Sequence, residues 1–192
     1  MKKYLFILIT LIALALIVTG CDVTIPSNGT SGASTSGSPT SGTPGSEPNW
    51  GVRTKTSGCV AHDGLPDSQC TPGAIFPDVT AQQVCKSGYA SSVRNVPTSE
   101  KNQVYAEYGI THHATGEYEV DHHVSLELGG SNDIANLWPE AASPTPGFHQ
   151  KDKVENYLHA QVCSGAITLK QAQIEIATNW LAVYNSMPTS QR

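Results

Sequence analysis

The chain has 192 residues, 39% of them hydrophobic and 14% charged, with a formal net charge of −5 at pH 7. Such acidity makes no electrostatic funnel for nucleic acid, because clustered Lys and Arg normally supply non-specific phosphate affinity. If a polynucleotide is the partner, a bound cation has to carry part of that load.

The chain opens on Met1, Lys2 and Lys3 and then an apolar run from Tyr4 to Val18. This is the pattern of an export signal, and it falls short of the roughly 20 apolar residues a spanning helix needs. The run ends at Val18-Thr19-Gly20-Cys21, which resembles the bacterial lipobox. That resemblance implies a lipoprotein signal peptide over residues 1–20, lipidation of Cys21, and a membrane-anchored protein facing the periplasm or the cell exterior. Loss of Lys2 and Lys3 with the signal takes the charge from −5 to −7. Residues 21–49 form a linker rich in Ser, Thr, Gly and Pro, a composition that cannot bury enough apolar surface to offset chain entropy. One domain is left, residues 50–192, long enough for a single modest core.

Setting Cys21 aside, four Cys remain, Cys59, Cys70, Cys85 and Cys163, and none stands in a Cys-x-x-Cys spacing. In an exported domain an even set of this kind points to two disulfides rather than a zinc knuckle. Three connectivities are open. The favoured one joins Cys59 to Cys70, closing a loop rich in Gly, Pro and Asp, and Cys85 to Cys163, tying the front of the domain to its back.

Along the domain, Thr71 to Pro77 reads as irregular structure, since each Pro fixes its own backbone and restricts the residue before it. Val104, Tyr105 and Tyr108 predict a short helix over residues 98–108, ended by Gly109. Between Glu117 and Glu140 the period drops to two. Tyr118 and Val120, then Val124, Leu126 and Leu128, alternate with polar residues as half-buried strands do, and Gly129-Gly130-Ser131-Asn132 supplies a loop. Val154, Tyr157, Leu158 and Val162 predict a helix from about Phe148 to Val162. After a break at Gly165, Thr168 and Gln171 form a capping pair for a helix carrying Leu169, Ala172, Ile176, Trp180 and Tyr184, stopped near Pro188. His62 and His159 read as surface or boundary residues, and His112 and His113 as part of a solvated turn.

Phosphodiester hydrolysis needs a base to activate water, a cation to stabilise developing charge, and groups that fix the base. Asp121 and His122 can supply the first two. Adjacent strand residues point to opposite faces, so both can address one phosphate only where the strand ends or bulges. The run Val-Asp-His followed by Leu-Glu-Leu-Gly-Gly-Ser-Asn-Asp-Ile-Ala-Asn-Leu-Trp-Pro resembles the HNH, or ββα-metal, endonuclease motif.

The resemblance implies an α+β domain around a small ββα-metal hairpin-helix core with additional helices. By position it makes Asp121 a metal ligand, His122 the general base and Asn136 the brace of the loop around the base. His149 takes the remaining metal position, with Asp152 as its substitute. It also implies a divalent ion, Mg²⁺ first, with Mn²⁺, Ni²⁺ or Zn²⁺ as alternatives, and a nucleic-acid substrate, DNA ahead of RNA. The protein is expected to be a monomer. His123 and Ser125 depart from the family's usual aliphatic residue and Pro, which makes His123 the rival base. An unperturbed imidazole would give a rate rising through about pH 6 to 7. The competing expectation is a non-catalytic metal-binding or interaction lipoprotein with a His-rich loop.

Overall fold

In a computed structural model of the protein, which describes residues 46–192, the helices and strands are mixed along the chain. The signal peptide, the lipidated Cys21 and nearly all of the linker lie outside the described residues. Among the described residues, no helix is long and apolar enough to cross a membrane.

Three short helices lead: α1, Ala81–Val84, α2, Tyr89–Val93, and α3, Thr98–Glu107. The third is the helix expected from Val104, Tyr105 and Tyr108, and Gly109 follows it at φ 70. Thr80 and Gln83 form a reciprocal capping box on α1. Strand β1, Tyr118–His122, pairs antiparallel with β2, Leu137–Ala141, in a register that sets Asp121 opposite Trp138 and His122 opposite Leu137. Two longer helices close the domain, α4, Phe148–Cys163, and α5, Leu169–Ser186.

The core forms where α4 and α5 pack together over the segment that leaves β1. Val154, Leu158 and Val162 of α4 meet Ala172, Ile176 and Trp180 of α5, with Val84, Val124, Leu128 and Met187 filling in. The Trp180 indole also donates to the Gly64 carbonyl at 2.9 Å, tying α5 to the N-terminal loops. Helix α5 is not regular throughout. Asn179 has φ −167 and ψ 85, and its Oδ1 accepts from the Ala182 N–H, so it breaks the helix and caps the second half.

Cys59 is bonded to Cys70 and Cys85 to Cys163, across 11 and 78 residues of chain. This is the favoured pairing, and the second bond joins the end of α1 to the end of α4.

The alternation after β1 does not make a strand. Leu126–Leu128 is a 3₁₀ turn, and Val124, Ser125, Leu126 and Leu128 are all buried. Asn136 is the physical reason, since its side chain takes both backbone groups of Val124 and thereby removes them from any ladder.

Candidate active site

Strand β1 ends at His122, where the chain turns, and this puts the Asp-His pair at a strand terminus rather than within a sheet. Asn136 holds that turn. Fully buried, it accepts at Oδ1 from the N–H groups of Val124 (2.8 Å) and Ala74 (3.3 Å) and donates from Nδ2 to the carbonyls of Val124 (2.9 Å) and Ser131 (2.8 Å). The close approach requires glycine at 130: an added Cβ would stand 1.8 Å from the Val124 oxygen and 2.9 Å from Asn136 Nδ2. Gly129 serves a different need, a left-handed backbone at φ 79 that closes the 3₁₀ turn.

His122 is 2% exposed. Its Nε2 lies 3.2 Å from Asn132 Oδ1. Asn132 Nδ2 already donates to the Val93 carbonyl, and Oδ1 already accepts from the Asn95 N–H. The atom facing the ring is therefore an acceptor, so Nε2 carries the proton and Nδ1 keeps its lone pair. Burial pushes the imidazole down to about 4, outweighing the pull of Asp121 and the Asn132 bond. The ring is thus uncharged well below neutral pH, which replaces the expected titration at pH 6 to 7.

His123 turns elsewhere. Its Nε2 meets the Ala177 carbonyl at 3.0 Å, and it lines a cavity of about 640 Å³ along with Leu65, Pro66 and Thr71. The two neighbouring imidazoles do not converge.

Asp121 faces α4. Its Oδ2 accepts from Lys151 Nζ at 2.6 Å, and the same ammonium donates to the His122 carbonyl at 2.9 Å and to Glu155 Oε1. Burial alone would raise the Asp121 acid, but the Lys151 charge and hydrogen bond, with smaller help from Glu140 and His122, hold it below its ordinary value. Glu140 of β2 is 1% exposed and neither carboxyl oxygen pairs with a ready-made donor. Burial, with the charge of Asp121 adding to it, pushes that acid up to about 10. As a neutral acid it can donate its own O–H to Asp121, which satisfies the carboxyl. Glu155 is pushed up to about 8 by burial despite its ammonium partner.

Two more acids bear on Asp121 through their charge. Glu119, two residues back on the same face of β1, is raised to about 7 by burial and then by Asp121 and Asp152. Asp152 is raised by burial and then by Asp121. His149 opens α4 as expected, but it is exposed against the Phe148 ring at 4.3 Å, and the site acid it acts on is Asp152. Of the two candidates for the remaining metal position, Asp152 is the one whose acidity responds to Asp121. An open groove of about 290 Å³ runs alongside, lined by Arg94, Glu127, Asp152, Glu155 and Asn156 among others. Arg94 is exposed there, and its charge bears on His122.

Asn132, Lys151, Glu140, Glu155 and Arg94 were not expected from sequence. One signal was readable: Lys151 occupies a position of the buried stripe Phe148, Lys151, Val154, Leu158 and Val162, where a charge needs a partner.

Ligand atoms of Cys85, His159 and Cys163 lie within 4.8 Å of one another. The two sulfurs are bonded together, so thiolates for a soft metal arise there only on reduction. No protein-family model, curated protein or solved structure matches the chain.

Proposed function

We propose that the protein is an exported, metal-dependent endonuclease of the HNH, or ββα-metal, type, held to a membrane through lipidated Cys21 and hydrolysing phosphodiester bonds of DNA ahead of RNA. The observation that carries this reading is the state of His122: an uncharged imidazole with a fixed tautomer, at the end of β1, next to an ionised Asp121. His123 differs in that it has no ionised carboxylate as chain neighbour and its unpartnered Nδ1 is buried.

In this reading β1, β2 and α4 are the ββα element. His122 Nδ1 accepts the proton of the attacking water while Nε2–H stays on Asn132. Asn136 keeps the turn from drifting. Arg94, in the groove, receives the phosphate that the acidic surface otherwise repels. Asp121 and Asp152 would offer carboxylate oxygens alone, a donor type that suits a hard divalent cation keeping several waters. Mg²⁺ fits best, and Mn²⁺ is its closest substitute. When bound, such an ion supplies charge stabilisation for the phosphorane and the departing oxygen.

The test is cleavage of end-labelled double-stranded DNA, single-stranded DNA and RNA by the purified protein, with Mg²⁺, with Mn²⁺ and with EDTA. Metal-dependent cleavage abolished by EDTA is expected, fastest on DNA. Intact substrates under every condition, with a folded and disulfide-bonded protein, would refute the reading.

A further inference from the structure

Cys85, His159 and Cys163 are a converging set of ligand atoms that the proposed reaction does not use. One such atom from each lies within 4.8 Å of the others. His159 and Cys163 stand four residues apart on α4 and so share one face of it, and Cys85 caps the end of α1 against them. His159 Nε2 is 3.4 Å from Cys163 Sγ and 3.0 Å from the Val84 carbonyl, while Nδ1 faces Glu127 Oε2 at 3.9 Å. In the oxidised protein the Nε2–H donates to that carbonyl. The other tautomer places the proton on Nδ1, toward the Glu127 carboxylate, and leaves a lone pair on Nε2, the atom beside Cys163 Sγ. A carboxylate behind a ligating imidazole in this way fixes the tautomer and raises its basicity. Cys85 and Cys163 are both exposed, whereas Cys59 and Cys70 are 3% and 0% exposed. A reductant therefore reaches the Cys85–Cys163 bond first.

We infer that Cys85, His159 and Cys163 form a redox-gated site for Zn²⁺, so that the cross-link between α1 and α4 exists in two interchangeable forms, a disulfide when oxidised and a metal bridge when reduced. A dithiol supplies the two electrons. Its own sulfurs close into a disulfide, the Cys85–Cys163 bond breaks, and each cysteine sulfur takes one proton. Zn²⁺ then displaces both protons to solvent and is held by two thiolates and Nε2, with water in the fourth position. Two sulfurs and one nitrogen select a borderline-soft ion of this kind over Mg²⁺, which takes oxygen ligands. The newly made chain carries thiols before it is oxidised, so the bridge is open to it as well. None of the three residues has a part in the proposed phosphodiester hydrolysis, and the inference stands whether or not that reading holds.

The experiment reduces the full chain with excess dithiothreitol, removes the reductant under argon and titrates with Co²⁺, then with competing Zn²⁺. Cobalt reports its ligands directly, through thiolate charge-transfer absorption in the near ultraviolet and tetrahedral bands in the visible. Reduced wild type should bind one Co²⁺ with both signals, and Zn²⁺ should bleach them and raise the unfolding temperature of the reduced protein. The oxidised chain should show no thiolate band, even where Co²⁺ binds to carboxylates. His159→Ala should bind Co²⁺ at least about tenfold more weakly, since even the group behind a ligating His is worth that much. This variant keeps the disulfide, so its fold is verified in the oxidised state before reduction.

Reduced Cys85→Ser should lose the band at one equivalent of Co²⁺ and gain no stability from Zn²⁺. Cys59→Ser with Cys70→Ser should keep the band, because the other two cysteines carry it. A reduced wild type without a thiolate band overturns the inference. So does a band of unchanged strength and affinity in His159→Ala or in Cys85→Ser, or its loss in a folded Cys59→Ser, Cys70→Ser protein.

Discussion

Asn132 decides which nitrogen of His122 is free, and it does so because its own amide is already committed to Val93 and Asn95. Asn132→Leu should therefore release the tautomer and lower turnover by roughly ten- to a hundredfold, part of the 10² to 10⁴ a positioned base contributes. Mn²⁺ affinity should not change, and Asn132→Asp, which keeps an acceptor, should retain more activity than Asn132→Leu. Equal rates for Asn132→Leu and wild type would remove Asn132 from the site.

A second residue reports on the fold alone. Tyr108 is pushed up to about 12, chiefly by burial and further by Asp67, and its hydroxyl lies 2.8 Å from Thr71 Oγ1. The folded state thus favours the neutral phenol, so this contribution is intact below about pH 10 and is lost as pH rises from about 10 to 12. It amounts to roughly 2–3 kcal/mol. Tyr89 and Tyr105 are raised by burial as well, so Tyr108 should be the last of them to ionise in an absorbance titration, and Tyr108→Phe should abolish that last step and its share of the alkaline loss of stability.

At the scale of elements, the helices were legible wherever an apolar stripe was long enough to state a period. Helix α4 runs Phe148–Cys163 and α5 begins at Leu169 behind the Thr168 cap, as their spacing predicts. The break at Asn179 was not legible, because the stripe Ile176, Trp180 and Tyr184 keeps helical spacing across it. Val124, Leu126 and Leu128 misled for a related reason. The apolar residues alternate in sequence but the burial does not, since Ser125 between them is buried too, and a side chain twelve residues away, Asn136, claims the backbone a strand would need.

In the candidate site, Asp121, His122 and Asn136 were legible as neighbours on one motif. Asn132, Lys151 and Glu140 were not, since their roles depend on which free atoms meet across three elements.

The disulfides join elements of different reach, and their loss should scale accordingly. Removing Cys85–Cys163, which closes 78 residues, should cost about 4.5 kcal/mol, against about 3 kcal/mol for Cys59–Cys70, which closes 11. Denaturant unfolding of Cys85→Ser with Cys163→Ser, compared with Cys59→Ser with Cys70→Ser, checks the order. The reverse order would mean that the short loop clamps structure beyond its own chain entropy.

For the molecule as a whole, an acidic chain acts on a polyanion only if the charge that counts is local. Arg94 at the groove and a divalent ion on the carboxylates would provide that locality in the proposed reading, and the linker of residues 21–49 would set how far from a membrane it works. Cys21→Ser should release the protein from membranes or block its processing, as fractionation and gel mobility would register. Unchanged association would refute the lipid anchor and leave the site untouched.

The central claim is the division of labour between His122 and the carboxylates. Its most direct test measures plasmid cleavage and Mn²⁺ affinity together in His122→Ala and His123→Ala. His122→Ala should lose roughly 10² to 10⁴ in rate while binding Mn²⁺ almost as wild type does, and His123→Ala should cleave at a rate that tracks its folded fraction. Near wild-type cleavage by a folded His122→Ala protein would contradict the account.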